Sequence, residues 1–269
     1  LDYSTGEFSS GENSISELYN TIHQYNVSEI IICKKQTDKI NQNKIKNILI
    51  TSYHNWIADS DLCYDKLIDH FGTKTLKGFG FLKNDLSIIP SGAALSYVEN
   101  NYFGKIKHIT AISKIAKNDI MKLDLATIKN LEIFETLNSS DNKNTLFQTI
   151  DNTSTPMGSR LLRQHINNPL ISKSKINARL ELLEEYLKYF IEDKVIISEL
   201  ESISDIQRTL SKISIGKSNP RDIINLSQSL YSIHKIKKYV SNNKILKKSI
   251  GKTKSINRIC NKINKNIIE

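Results

Sequence analysis

The sequence is poor in the residues that tie a fold together covalently or through a metal. It has three cysteines in 269 residues, Cys33, Cys63 and Cys260. They are far apart and odd in number. There is no CxxC pair and no Cys/His spacing suited to zinc, so neither disulfides nor a structural metal is expected. Free thiols of this kind fit a reducing cytoplasm. The six histidines are scattered, and none pairs as H-x-x-x-H. No apolar run approaches the roughly 20 residues needed to span a bilayer. The opening Leu1-Asp2-Tyr3 lacks the basic start and apolar stretch of a secretory signal. It also lacks an initiator Met and reads as though it starts inside a strand, so a fragment of a longer protein is expected.

Charge is plentiful but uneven. Lys+Arg total 38 and Asp+Glu 28, a net charge of +10. Residues 1–112 hold 11 basic and 12 acidic residues, and residues 113–269 hold 27 and 16. The halves therefore carry −1 and +11. The length by itself favours two domains. A basic half suggests contact with nucleic acid. A lysine-rich solvated surface explains the same numbers, and charge alone does not choose between the two. The abundance of Lys, Asn and Ile fits an AT-rich genome.

In residues 1–112, strand-like and helix-like segments alternate. SISELYNTIHQY places Ile15, Leu18, Tyr19 and Ile22 at helical spacing, with Ser14 or Ser16 as cap. EIIICKK and KNILITSY read as short buried strands. DLCYDKLIDHFG returns to helix and ends at Gly72. SGAALSYVENNYF predicts a helix rich in small residues, closed by Gly104. Such alternation implies an α/β domain with helices on a sheet.

Residues 113–269 read as helical. DLATIKNLEIFETL starts at Asp124, a good N-cap, with Leu125, Ile128 and Leu131 on one face. NTLFQTIDN predicts a short helix. In DNTSTPMGSRLLRQHINNPL, Thr155 is placed to cap and Pro156 takes the first helical position. Pro169 forbids continuation. Gly158 marks a close approach in the first turn. SKSKINARLELLEEYLKYF carries a stripe of Ile176, Leu180, Leu183, Leu187 and Phe190. SDIQRTLSKI sets Ile206, Leu210 and Ile213 behind a Ser204 cap. In GKSNPRDIINLSQSLYSIHKI, Asn219 caps, Pro220 starts the helix, and Ile223, Leu226, Leu230 and Ile233 form its stripe. Helices joined by short capped turns are expected to bury these stripes against one another.

Few motifs speak for chemistry. Gly216-Lys217-Ser218 and Gly251-Lys252-Thr253 resemble the end of a phosphate loop, but Ser211 and Leu246 stand where its first glycine is needed and no strand precedes either. Both read as helix breaks. Asp2 and Glu7 could be imagined in a two-metal cluster, yet no paired DxD or DxE lies on a strand, and solvated surface acids are expected. Trp56, Tyr19, Tyr53, Tyr97 and Tyr102 do not interleave with lysines as a base-stacking platform would, so packing or interface use is expected. Arg160 and Arg163 share a face on the helix begun by Pro156. They could grip phosphate or brace helices, and the neighbouring leucines favour bracing.

The run NTLFQTIDNTSTPMGSRLLRQHINNPLISKSKINARLELLEEYL resembles the core-domain signature of the MutS family of DNA mismatch-repair proteins. That signature has T-x-M/P-G-x-R-L-L-x-x-W-x-x-x-P-L followed by I-x-x-R-L-x-x-V-E. It is met here by Thr155, Met157, Gly158, Arg160, Leu161, Leu162, Pro169, Leu170, Ile176, Arg179, Leu180 and Glu184, with Asp151 and Thr153 ahead of it. MKLDLATIKNLEIFETL is similar to the segment that enters the core. DIQRTLSKISIGKSNPRDIINLSQSL is similar to the family's D-[IL]-E-R-L…G…N-P-R-D-L run, and STGEF, SEII and GFG fit its connector domain. His165 replaces a common Trp and Gln207 a frequent Glu.

The resemblance implies a multidomain fold: an RNase H-like α/β connector at 1–112 without nuclease activity, then an all-α core/lever domain at 113–269, truncated at its C-terminal end. It implies that the mismatch-reading domain with its Phe-x-Glu motif, the clamp tip, the P-loop ATPase and the dimerisation helices lie outside this sequence. No enzymatic activity and no cofactor are then expected in this chain, ATP and Mg belonging to the ATPase domain. The expected partners are the remaining MutS domains and second subunit, MutL through the connector, and mismatched duplex DNA. Thr155, Pro156, Gly158, Arg160, Arg163 and Pro169 would form a structural joint between helices. Lys244, Lys247, Lys248, Lys252, Lys254 and Arg258 would supply weak contacts to DNA phosphates, and an autonomous sequence-blind nucleic-acid-binding module is the alternative reading.

Overall fold

The computed structural model describes residues 1–25, 27–40, 45, 48–53, 59–102, 106–115, 120–137, 144–190, 194–246 and 256–267. The chain is mixed α/β and divides into two compact units. The first comprises Leu1–Lys117 and Asp124–Thr127, the second Asn118–Leu123 and Ile128–Glu269.

In the first unit the order is β1 (Ser9–Ser10), α1 (Ile15–Gln24), β2 (Glu29–Cys33), β3 (Leu49–Tyr53), α2 (Ser60–Phe71), α3 (Ile88–Asn101) and β4 (Ser113–Lys114). The strands form two small parallel pairs among the described residues. β1 lies beside β4 with Ser9 opposite Ser113, and β2 lies beside β3 with Glu29 opposite Leu49 and Cys33 opposite Tyr53. The three consecutive isoleucines of β2 are β-branched and suit a pleated, covered strand. Both pairs lie at residues 9–10 and 113–114 or 29–33 and 49–53, so the sheet is split rather than continuous where it is described. Strand β4 places residues 113–114 in this first unit.

Helix α2 is capped by Asp59, whose Oδ1 accepts from Leu62 N at 3.0 Å, and it ends at Gly72. Helix α3 begins at Ile88, earlier than SGAAL suggests, because Pro90 fits its first turn. Gly104 lies outside the described residues. The small residues of α3 let it press onto α2. A Cβ on Gly92 would sit 2.5 Å from Cys63 Cβ and 2.6 Å from Cys63 Cα, which no side chain tolerates. Around this contact Leu67, Leu76, Phe81, Ile88, Leu95, Ile106 and Ile109 form a core with at most 2% exposure. Within GTKTLKGFGF, Leu76–Phe79 turns as a 3-10 helix that buries Leu76.

The second unit holds the end of α4 (Leu125–Asn130), then α5 (Leu146–Ile150), α6 (Pro156–Asn167), α7 (Lys173–Phe190), α8 (Lys194–Glu201), α9 (Ile206–Ser214), α10 (Pro220–Tyr239) and α11 (Ile256–Asn266). Helix α4 is shorter than its sequence suggests. Asp124 Oδ1 does accept from Thr127 N, at 2.6 Å. The helix stops at Asn130 because Glu132 takes φ 47°, and Glu132 and Ile133 instead accept from the backbone N–H groups of Leu146 and Phe147 at 3.1 and 3.0 Å. Leu131 is left exposed.

Burial of the predicted stripes is the largest departure from expectation. On α7, Ile176, Leu180, Leu183 and Leu187 are 37–54% exposed, and the side chains packed inward are Leu182 and Tyr186. These two, with Leu200, cover the cluster of Ile196, Val240 and Leu246. On α9 the buried residues are Thr209 and Ser211, whereas Leu210 and Ile213 face outward. The apolar arc fixed the helical period but not which arc meets the neighbour. On α10 Leu226 is buried, flanked by Ser227, Ser229 and Ser232. Hydroxyl pairs join α10 to the turn before α9: Ser232 with Ser202 at 2.7 Å and Ser229 with Ser204 at 2.8 Å. Ser204 therefore spends its side chain on Ser229, and Asp205 caps α9 in its place.

Candidate functional site

The best-assembled polar cluster of the second unit surrounds the start of α6. Thr155 is extended, and its Oγ1 accepts from Gly158 N at 2.9 Å, so one of the orphan N–H groups of the first turn is satisfied. Pro156 follows at the first position, where no N–H is needed. Gly158 sits in a tight contact: a Cβ there would lie 3.0 Å from Thr155 Oγ1 and 3.3 Å from Thr153 Cβ, so both neighbours would have to give by a few tenths of an ångström. Asp151 folds back over this corner. It accepts from Thr153 N at 3.1 Å and Thr153 Oγ1 at 2.6 Å, and from Ser159 Oγ. Those bonds, from Ser159 and then Thr153, hold its carboxyl below the usual carboxylate range. At the other end Asn167 closes α6, and Pro169 O accepts from Met121 N at 2.7 Å. A bridge between Ile120 and Leu170 lies beside that bond.

The two arginines part ways. Arg160 reaches Asp205 with both terminal nitrogens, Nη1 to Oδ2 at 2.6 Å and Nη2 to Oδ1 at 2.9 Å, and Nη2 also donates to Gln207 Oε1 at 2.6 Å. Asp205 simultaneously caps α9, accepting from Arg208 N at 3.2 Å. One carboxylate thus caps one helix and grips another. The Arg160 hydrogen bonds hold the Asp205 carboxyl below its usual range against the opposing effect of burial. Arg163 instead lies over aromatic rings, 4.1 Å from the Phe134 centroid and 5.3 Å from that of Phe147. Burial lowers its pKa, and the charge of Glu135 works the other way. His165, further along α6, is lowered by burial and by Arg179.

Thr155, Pro156, Gly158 and Arg160 are therefore brought together with Asp151 and Asp205, and Pro169 anchors the far end of the same helix. Sequence reasoning missed Asp205, Phe134 and Phe147. The sequence reading placed the cap of α9 at Ser204, one residue early, because the Ser204–Ser229 contact cannot be read locally. Nothing in the spacing of Phe134 and Phe147 announces that both rings meet Arg163.

The remaining candidates are placed as follows. Lys244 and Arg258 are exposed, and Lys247, Lys248, Lys252 and Lys254 lie outside the described residues. Gly216 has φ 71° and ends α9, with Lys217 N donating to Lys212 O at 2.9 Å, so the first GKS triplet is a helix stop. The second triplet lies outside the described residues. Asp2 pairs with Glu7 through the backbone and accepts from Ser4 at 2.8 Å, forming a turn. Tyr102 stacks on Tyr3 at 3.7 Å, and Tyr97 donates to Glu29. An open cleft of about 420 Å³ in the first unit is lined by His70, Phe71, Glu99, Ile106, Lys107, Ile109 and Thr110. Glu99 is paired with Lys66, and His70 Nε2 lies 2.8 Å from Ile109 O. Among the described residues no cluster of His, Cys, Asp and Glu could hold a metal ion. No helix among them is long and apolar enough to cross a membrane.

The chain thus combines a small α/β unit with a helical unit that carries a polar cluster of helix caps and a bidentate ion pair. Sequence relationships carry this further. The family model for MutS domain II matches residues 1–110, and that for MutS domain III matches residues 126–269. The chain belongs to the MutS family of DNA mismatch-repair proteins. It is 34% identical over 237 residues to the DNA mismatch repair protein MutS of Parabacteroides distasonis, an alignment covering 88% of this chain and 27% of that protein. It is 35% identical over 243 residues to the same-named protein of Flavobacterium johnsoniae, again 88% and 27%. The corresponding protein of Halothermothrix orenii is 31% identical over 242 residues, with the same coverage. The chain thus spans about a quarter of the length of the curated relatives it matches.

Proposed function

We propose that this chain is the connector and first core/lever portion of a mismatch-repair ATPase, and that it transmits recognition of mismatched DNA to ATP binding without performing chemistry itself. Residues 1–112 would form an RNase H-like connector, a reading supported by parallel strands beside α2 and α3, and its edge would extend through β4. Residues 113–269 would form the core and lever. The connector would dock MutL. The core would hold the other MutS domains and, through them, the second subunit. ATP and Mg would belong to a separate ATPase domain, in a cytoplasmic protein.

One observation carries the reading: Arg160 grips both oxygens of the carboxylate that caps α9. A bidentate pair of this geometry fixes two helices by direction as well as by distance. Thr155, Pro156, Gly158, Arg160, Arg163 and Pro169 would thereby act as a stiff corner, which is what a force-transmitting element needs. In a MutS protein carrying this segment, Arg160→Ala should leave mismatch binding without nucleotide intact and weaken ATP-triggered release from the mismatch. Unchanged ATP-triggered release would refute the joint. ATP turnover by the 269-residue chain should stay at background, and retention of purified MutL on the immobilised chain tests the docking.

A further inference from the structure

The first unit holds a turn that is tied down from several directions and yet lifts apolar side chains into water. Residues 82–86 read LKNDL. Asp85 N donates to Leu82 O at 3.1 Å, Asp85 Oδ2 accepts from Leu82 N at 3.0 Å, and Ile88 N donates to Asp85 O at 3.0 Å. Three further ties come from distant parts of the unit. Glu12 Oε1 accepts from Leu86 N at 3.1 Å, Lys114 Nζ reaches Asp85 Oδ2 at 2.7 Å, and Lys83 Nζ reaches Asp61 Oδ1 on α2 at 2.9 Å. Phe81, just before the turn, is fully enclosed, whereas Leu82 is 59% exposed and Leu86 73%. Leu62, next to Asp61, is 58% exposed. A slack loop would fold such leucines back against the unit, but here the backbone is bonded at both ends. Single exposed leucines need no explanation; leucines held out around one rigid turn form an apolar patch. Its stiffness removes the ordering cost that binding would otherwise carry.

The rim of this patch is acidic. Asp61, Asp65 and Asp69 stand at i, i+4 and i+8 on α2, and all three are exposed. The Lys83 pKa is raised first by its hydrogen bond to Asp61 and also by the charge of Asp65, so the turn lies beside this row. Asp65 and Asp69 have no ion pair among the described residues. Like charges four residues apart on a helix repel and weaken it. Asp61 lies in the first turn of α2, where the helix dipole favours an acid, but Asp69 lies in the last turn, where the dipole opposes one. The row therefore costs α2 stability, and a cationic partner would offset that cost. At 1.5 Å per residue its carboxylates are about 6 Å apart, the spacing of lysines four residues apart on a second helix. An acidic rim excludes nucleic acid and anionic lipid as the occupant.

We infer that the Leu82–Leu86 turn and the Asp61–Asp65–Asp69 row form a docking surface for a basic amphipathic helix of a partner protein. The apolar side of that helix covers the leucines, and its lysines or arginines meet the carboxylates. The surface goes beyond the role proposed above: it does not rest on the Arg160 joint or on MutL docking, and it survives the failure of either.

The test is an anisotropy titration of the full 269-residue chain with a fluorescein-labelled synthetic helix that carries leucine on one face and lysine on the other. A second peptide has glutamate in place of lysine and should bind at least about tenfold more weakly. The variants Leu82→Ser/Leu86→Ser and Asp65→Asn/Asp69→Asn, with helix content checked by circular dichroism, should each weaken the lysine peptide by about tenfold. The control pair Leu180→Ser/Leu183→Ser, exposed on α7, should leave it unchanged. Equal loss in the control pair would reduce the effect to general stickiness and overturn the site, and so would equal binding of the two peptides or unchanged binding by the turn pair. Other occupants are read by maleimide labelling of Leu86→Cys, since the three native thiols are buried. The introduced thiol should react at one rate at all chain concentrations and in a full-length MutS protein carrying this segment. Protection that grows with chain concentration would point to a second copy, and protection confined to the full-length protein to another of its domains; either result would overturn the partner helix.

Discussion

The two units bury apolar side chains in different ways. In the first, Leu67, Leu76, Phe81, Ile88 and Leu95 are fully enclosed, and α3 lies so close on α2 that only glycine fits at position 92. In the second, the buried apolar cluster is Ile196, Val240 and Leu246, while Leu180, Leu183 and Leu187 of α7 face outward. Beside that cluster, the described residues of the second unit are tied by directional bonding: the Arg160–Asp205 fork, the Ser202–Ser232 and Ser204–Ser229 pairs, and the caps of α6 and α10. Close packing resists compression and shear in all directions. Hydrogen-bonded caps and forks fix the direction of individual helices and leave their outer faces for other contacts. The same chain therefore shows two ways of being stiff, one through volume and one through bond direction.

The sharpest way to break this contrast is to truncate a leucine in each unit. Leu67→Ala should destabilise the first unit by about 2–5 kcal/mol, because the removed atoms leave a cavity in an enclosed site. Leu183→Ala should cost no more than about 0.5 kcal/mol, since the side chain is half in water. Hydrogen exchange resolved by unit reads both, and equal costs would erase the distinction. Next comes the fork. Arg160→Ala should lower the stability of the second unit by about 2 kcal/mol, the scale of charged hydrogen bonds. Arg160→Lys should recover only part of that, because an ammonium cannot meet both oxygens in one plane. A full rescue by lysine would show that charge, not direction, does the work. Smaller again is the cap: Thr155→Ala should cost about 1 kcal/mol and loosen amide protection at Gly158 first.

Acid provides a finer probe. Asp151 and Asp205 both have folded pKa values below the unfolded carboxylate value. Their stabilisation is therefore complete above about pH 4 and is lost as pH falls through the lower folded values. The gap in urea midpoint between the parent chain and Arg160→Ala should be constant from pH 7 to about pH 5 and should narrow below pH 4. A gap that widens in acid would reverse the assignment. Asp205 is the better reporter, since its side chain is only 17% exposed.

Much of the local structure was legible in the residues. Thr155-Pro156 and Asn219-Pro220 announced helix starts, and the structure caps both there, with Asn219 and Asp222 forming a reciprocal capping box. Gly72 ended α2 and Gly158 marked a close approach. The helix from Asp124 was overextended, because nothing local signals that the chain turns at Glu132 so that Glu132 and Ile133 accept from the first two residues of α5. The sequence reading put the cap of α9 at Ser204, and the structure puts it at Asp205. The hydroxyl of Ser229, twenty-five residues away, made the choice.

The sequence by itself determined where helices begin, their period, and the family to which the chain belongs, because caps, prolines and apolar spacing act over a turn or two of backbone. Which arc of α7 or α9 turns inward, which carboxylate Arg160 meets, and that α3 needs glycine against Cys63 were decided only in the tertiary structure. Those outcomes depend on side chains far apart in the chain competing for the same few ångströms of space, and no local preference encodes that competition.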